Sequence, residues 1–303
     1  MTKNDNKQIK TKLNWLPKKT FQLEFTIPWK KAEKTYQQVL KQTAAKTAVK
    51  GFRKGKAPLK LVEKGVNKQK IYDQVIQTLL PETYQKAIKQ HNLQPITSPK
   101  IEIVSLKEKK DWKFRATSCE KPEVKLGDYQ KVIKGELAKE KIWTPNKEKK
   151  QGKKEEKDSK KGKTGQSYDQ KIRIVSKTLL KTTQVEISDI LIENEVNRML
   201  SRLLDQVNSL GMTIDQYLSS KGSSSEKLRK KHQIQAEKTL KLEFILQQIV
   251  KDKKIKIKKE EVDKMIDAAP QEKIKKELNT PLQRAYISSI LAKRKVLDYL
   301  TNL

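Results

Sequence analysis

Gly51-Phe52-Arg53-Lys54-Gly55-Lys56-Ala57-Pro58 places one aromatic ring among three cations in a single short stretch. The chemistry this offers is binding, not bond-making. Phe52 can anchor in an apolar recess, Arg53 can fork to a carboxylate or phosphate, and Lys54 and Lys56 add compact charge. Gly51 and Gly55 permit backbone angles that other residues resist. Pro58 fixes its own φ and presses Ala57 towards an extended shape, so a helix can start directly after it. The product is a protruding tip with Phe52, Arg53 and Lys54 outward, suited to an anionic, partly apolar partner. The plainer reading is a basic turn between helices, because exposed loops often carry lysine.

Catalytic chemistry finds little to work with. His91 and His232 are the two histidines and Cys119 the one thiol, too few for the usual zinc sets. There is no persuasive Ser-His-Asp order and no glycine loop with phosphate-cradling spacing. Glu155-Glu156 and Glu260-Glu261 sit in highly charged stretches and read as solvated carboxylates. No catalytic residue, metal or cofactor is expected.

The elements that would hold the tip are legible in the pattern. Residues 20–27 alternate apolar and polar as a half-buried strand does. Pro28 and Trp29 open a helix to about Lys46, with Ala32, Tyr36, Val39 and Leu40 on one face. A second helical stretch covers about Leu59–His91, interrupted near Gly65 to Asn67, and turns Ile71, Val75, Leu79, Tyr84 and Ile88 to a core. Residues 100–106 and 112–119 alternate again around the charged turn Lys107–Asp111. Strands at both ends with helices between predict an α+β domain over residues 1–135. Residues 144–167 are rich in Lys, Glu, Gly, Ser and Gln and nearly free of apolar side chains, which predicts a disordered linker inside a lysine-rich segment 136–170. An all-α domain follows over 171–303. Ser188 is expected to cap its first long helix and Gly211 to close it; Thr213 with Gln216 and Ser223 with Glu226 predict capping boxes; Thr280-Pro281 starts the last helix.

Composition narrows the partner class. The chain has 303 residues, with 69 Lys+Arg against 36 Asp+Glu, a formal net charge of +33. An excess of that size favours an anionic partner: nucleic acid, a ribosome or an acidic membrane surface. Lysine dominates over arginine, which fits diffuse phosphate attraction better than base readout. At 35% apolar residues the core is thin, so helices are expected to be long and sparsely packed where the chain is ordered. One cysteine permits no internal disulfide, and Met-Thr-Lys-Asn-Asp-Asn-Lys at the start is followed by no secretory core. No apolar run approaches the length of a membrane span. A soluble cytoplasmic protein is the expectation.

The octapeptide closely resembles the ribosome-docking signature of trigger factor, the bacterial chaperone at the polypeptide exit tunnel. Further resemblances follow in the family's order. Pro122-Glu-Val-Lys-Leu-Gly-Asp-Tyr129 is similar to the end of the ribosome-binding domain. Arg198-Met-Leu-Ser-Arg-Leu-Leu204 and Leu210-Gly-Met-Thr-Ile-Asp-Gln-Tyr217 resemble the start of the helical client-binding domain, and Lys295-Val-Leu-Asp-Tyr-Leu300 its closing helix. Together they span most of the chain except roughly 136–185. The resemblance implies docking to exit-tunnel protein and ribosomal RNA through Gly51, Phe52, Arg53, Lys54, Gly55 and Lys56. It also implies shelter of unfolded nascent polypeptides on helical apolar surface; the candidates are Met199, Leu203, Val207, Leu242, Phe244, Ile245, Ile249, Tyr286, Ile290 and Leu297. A weak homodimer is compatible with it. Most members carry a prolyl-isomerase domain where this chain has its lysine-rich segment, so an isomerase-free form is expected. A basic RNA-binding protein and an isomerase with an unrecognised site are the alternatives.

Overall fold

A computed structural model describes residues 10–46, 52, 58–142 and 162–303. They divide into two compact units. One runs to Lys121 and includes Ser188–Leu191; the other comprises Pro122–Ile187 and Ile192–Leu303.

The first unit is a four-stranded antiparallel sheet with helices on one face. Strand β1 (Thr11–Leu16) pairs with β2 (Thr20–Ile27); helix α1 (Trp29–Lys46), α2 (Leu59–Gly65) and α3 (Lys68–Gln90) follow, then β3 (Lys100–Ser105) and β4 (Trp112–Cys119). The order across the sheet is β1-β2-β4-β3. Alternation in β2 does what period two demands: Phe21, Leu23, Phe25 and Ile27 are buried, and they face Ser118, Ala116, Phe114 and Trp112 of β4 in register. Phe25 stacks on Phe114 with ring centres 5.9 Å apart. Ala32, Tyr36, Val39 and Leu40 of α1 and Ile71, Val75 and Leu79 of α3 close this core, with Tyr84 and Ile88 partly buried beside them. The first strand was not expected from the sequence. At the opposite edge Ile103 and Val104 are exposed, where the β3–β4 register shifts.

The second unit is helical apart from a two-residue pairing of β5 (Val124–Lys125) with β6 (Gln184–Val185). Its helices are α4 (Tyr129–Ile142), α5 (Gly162–Thr182), α6 (Asp189–Ser209), α7 (Ile214–Ser220), α8 (Ser225–Asp252), α9 (Lys259–Asp267), α10 (Glu272–Leu278) and α11 (Pro281–Thr301). The first three residues of α6 belong to the first unit. Thr213 and Gln216 form the expected capping box at α7, Gly211 takes φ 70° after α6, and Thr280 caps α11 with Pro281 in its first turn. One cap differs from expectation. Ser224, not Ser223, caps α8 by accepting from Lys227 N. Ser188 Oγ lies 2.7 Å from Thr20 Oγ1, a contact that ties this segment to β2.

The second unit begins at Pro122. Residues 136–142 continue α4 and residues 162–170 belong to α5, so both flanks of the anticipated linker are helical. Ile133 and Leu137 on α4 and Val175 and Leu179 on α5 are buried, and these two helices pack together. The rest of that segment, with Glu155-Glu156, lies outside the described residues. Gly127 sits at the foot of this pair. A Cβ there would come within 2.6 Å of the Thr182 carbonyl oxygen, so no larger residue fits without backbone movement. Gly127→Ala is expected to lower stability by about 1–3 kcal/mol, read as a shifted urea midpoint.

Candidate functional site

Residues 51–58 follow α1 and precede α2 in the chain. Helix α1 is 18 residues long, about 27 Å. Its start is fixed by the Asp111 carboxylate, which accepts from Trp29 N at 2.9 Å. Helix α2 begins after Pro58, as the sequence implied. Val62 of α2 is fully buried while Leu61 faces out. Glu63 then locks α2 to α1 by accepting from the Tyr36 hydroxyl at 2.9 Å. The Tyr36 ring packs 5.4 Å from Tyr72, whose hydroxyl donates to Glu108 at 2.7 Å. The two helices that flank residues 47–57 in sequence are therefore braced against each other.

Phe52 is 43% exposed, an aromatic ring left half in water. Gly51, Arg53, Lys54, Gly55 and Lys56 lie outside the described residues.

Burial, with Glu63 as a carboxylate acceptor, pushes the Tyr36 phenol from 10.0 up to about 12, and Tyr72 shifts upward for the same reasons with Glu108. A phenol whose folded value is raised favours the folded state less once the unfolded chain ionises. Stability contributed by neutral Tyr36 is full below pH 10.0 and is lost as pH rises towards about 12. Tyr36→Phe is expected to lack that alkaline loss, so the wild-type-minus-variant stability should fall by about 1–3 kcal/mol across the interval in denaturant titrations.

The apolar candidates in the second unit separate into three groups. Val207, Phe244, Ile245 and Ile249 are buried and belong to the helical core. Val207 lies on α6 and the other three on α8, which packs against α5 and α11. Met199, Leu203, Leu242 and Leu297 are half-buried. Tyr286 and Ile290 are exposed, and Leu282, one turn earlier on α11, is 79% exposed. Positions 282, 286 and 290 recur every four residues and so share one face of α11. Leu282 is not among the candidates named from the sequence. Further along α11, Ala292, Val296 and Leu300 are buried. Exposed Leu204, Leu210, Ile234 and Met265 are spread over other helices.

Carboxylates and histidines behave structurally. Glu261 accepts from Lys295 Nζ at 2.8 Å and caps the start of α9, and the Lys295 bond chiefly holds its carboxyl below the ordinary range. His91 Nε2 lies 2.8 Å from Thr11 Oγ1. The Cys119 thiol is buried, which pushes its pKa up and makes it a poor nucleophile. Among the described residues no group of three or more His, Cys, Asp or Glu could hold a metal ion, and no helix is long and apolar enough to cross a membrane.

Comparison with known proteins gives consistent findings. A family model described as bacterial trigger factor protein matches residues 9–151, and one described as bacterial trigger factor protein C-terminus matches residues 148–302. The trigger factor of Staphylococcus carnosus is 37% identical over 108 residues, 36% of this chain and 24% of that protein. The trigger factor of Caldanaerobacter subterraneus subsp. tengcongensis is 39% identical over 120 residues, 40% of this chain and 28% of that protein. The match thus spans about a quarter of these relatives' length. A solved structure described as "Promiscuous Substrate Recognition in Folding and Assembly Activities of the Trigger Factor Chaperone" superposes with a TM-score of 0.62 and 16% identity, covering 97% of this chain and 99% of that chain. At that identity the likeness is one of fold.

Proposed function

This chain belongs to the bacterial trigger factor family, and from that premise we propose that it is a ribosome-associated chaperone of the cytoplasm that shelters apolar segments of nascent polypeptides without isomerase activity. The observation that carries this reading is Phe52, a large aromatic held half in water within a stretch that also holds Arg53, Lys54 and Lys56. Leaving such a ring exposed costs apolar burial, and a docking partner would recover it. Client shelter is supported by the exposed face Leu282, Tyr286 and Ile290, because burial of apolar surface is non-directional and tolerates many sequences. The isomerase-free form is supported by the two family matches, which overlap at residues 148–151 and leave no stretch between them for another domain.

Three measurements test the proposal together. The protein should pellet with ribosomes at near-physiological salt. It should suppress aggregation of a chemically denatured client diluted into buffer. It should leave the rate of a proline-limited refolding reaction unchanged. Failure to pellet removes the ribosome, failure to suppress removes the chaperone, and clear acceleration of refolding overturns the isomerase-free form.

A further inference from the structure

Three exposed cations of the second unit line one face of α5. Arg173, Lys177 and Lys181 of α5 are all exposed and recur every four residues. At 1.5 Å rise per residue, their attachment points stand about 6 Å apart in a straight row. None of the three has a carboxylate within ion-pair distance among the described residues. Helix α4 adds Lys139, exposed and donating to Glu136 Oε1 at 2.9 Å. That bond, reinforced by the charges of Lys181 and Lys177, holds the Glu136 carboxyl below its ordinary range, and α4 packs against α5. With exposed Asp169 one turn before Arg173, two acids stand among four bases and the face stays net positive. The surface is also firm, because Ile133, Leu137, Val175 and Leu179 are buried behind it.

We propose that this α4–α5 face, built on Arg173, Lys177, Lys181 and Lys139, is a contact for an RNA phosphate backbone, separate from the tip at residues 51–58. The inference rests on the ribosome reading above and deepens it by giving RNA a second point of attachment. An RNA strand matches the face because its charges are negative, closely spaced and arranged in a line. Three of the four cations are lysines, suited to diffuse attraction to phosphate, whereas base readout favours planar guanidinium forks and stacking aromatics. The contact would therefore be independent of sequence and steeply dependent on salt.

The test uses full-length protein and a fluorescent double-stranded RNA hairpin, with affinity measured by anisotropy between low and near-physiological salt. Arg173→Gln, Lys177→Gln and Lys181→Gln together should weaken binding by about tenfold or more and reduce the slope of log K against log salt by about 2 to 3. A control variant carries Lys230→Gln, Lys231→Gln and Lys238→Gln on α8, where the lysines are exposed. It loses the same charge and should change the slope by less than about 1. Unchanged melting midpoints establish that both variants fold.

An equal loss in the control would mean that net charge alone matters and would overturn the proposal. So would a stripe variant with the wild-type slope, or one that loses binding to phosphatidylserine vesicles while keeping RNA. Ribosome pelleting separates the two readings. If wild type fails to pellet but the stripe variant still loses hairpin RNA, the ribosome reading falls and the RNA contact stands. If wild type pellets and the stripe variant keeps its RNA affinity, the contact alone falls.

Discussion

Replacing Phe52, Arg53 and Lys54 together with alanine is expected to reduce ribosome co-sedimentation at near-physiological salt by about tenfold or more, with no change in melting midpoint. The magnitude follows from what each side chain can add. Fully burying a phenylalanine is worth about 1.5–3 kcal/mol, and Phe52 has 43% of its surface still to bury, so roughly 1 kcal/mol is available from the ring. The two cations must supply the remainder through charge-assisted contacts and faster encounter. These contributions are separable. Phe52→Ala should weaken binding to a similar extent at every salt concentration. Arg53→Ala with Lys54→Ala should lose most at low salt and least at high salt, where screening already suppresses the charges. Stability is insulated because the first unit's core consists of Phe21, Leu23, Phe25, Trp112, Phe114 and their helical neighbours, and Phe52 is not among them. Undiminished pelleting of the triple variant would remove the tip as the anchor.

The same distinction between inward and outward residues explains which parts of the molecule could be read from its sequence. Strand β2 was legible because Phe21, Leu23, Phe25 and Ile27 alternate with polar residues, and only a sheet with one dry face makes that pattern necessary. Helix α1 was legible from a single apolar stripe and a proline at its start. The edge strand β1 was missed because Lys12, Leu13, Asn14, Trp15 and Leu16 alternate only briefly, and Trp15 remains 49% exposed. The pairing of β5 with β6 leaves almost no local trace, since two residues on each side meet across a sequence gap that includes α4 and α5. That distant pairing, and the packing of α4 on α5, assign residues 122–135 to the second unit. The binding candidates were the least legible. In α8, Leu240, Leu242, Phe244, Ile245, Leu246, Ile249 and Val250 cover more than one face, so periodicity cannot say which of them meet other helices. Tertiary packing decides it: Phe244, Ile245 and Ile249 turn inward and Leu242 stays half-buried. On α11 the repeat of four was present in Leu282, Tyr286 and Ile290, but a second stripe through Ala292, Val296 and Leu300 was equally visible, and sequence alone does not rank the two.

That unresolved choice makes α11 the place to test client shelter. Leu282→Gln, Tyr286→Gln and Ile290→Gln together should raise the amount of protein needed for half-maximal suppression of client aggregation by at least about threefold. Threefold is a modest expectation for three apolar side chains, because a surface that accepts many sequences engages each of them only in part. Glutamine keeps helix propensity close to that of leucine, so α11 itself should persist. Leu282 and Tyr286 are 79% and 62% exposed, and their loss should shift stability by no more than about 0.5 kcal/mol. Ile290, at 40%, has more to lose, and Ile290→Gln alone serves as the control for any change in melting midpoint. Leu210→Gln is the sharper comparison. Leu210 is 74% exposed against 79% for Leu282, but it lies just beyond the end of α6 and belongs to no helical row of exposed apolar residues. If isolated exposed leucines sufficed, Leu210→Gln would impair suppression as much as Leu282→Gln does. A contiguous face should matter more, because a client segment gains from burying neighbouring side chains together. Full suppression by the α11 triple variant would mean that clients are sheltered elsewhere, and equal loss at Leu210 would mean that no particular face is used.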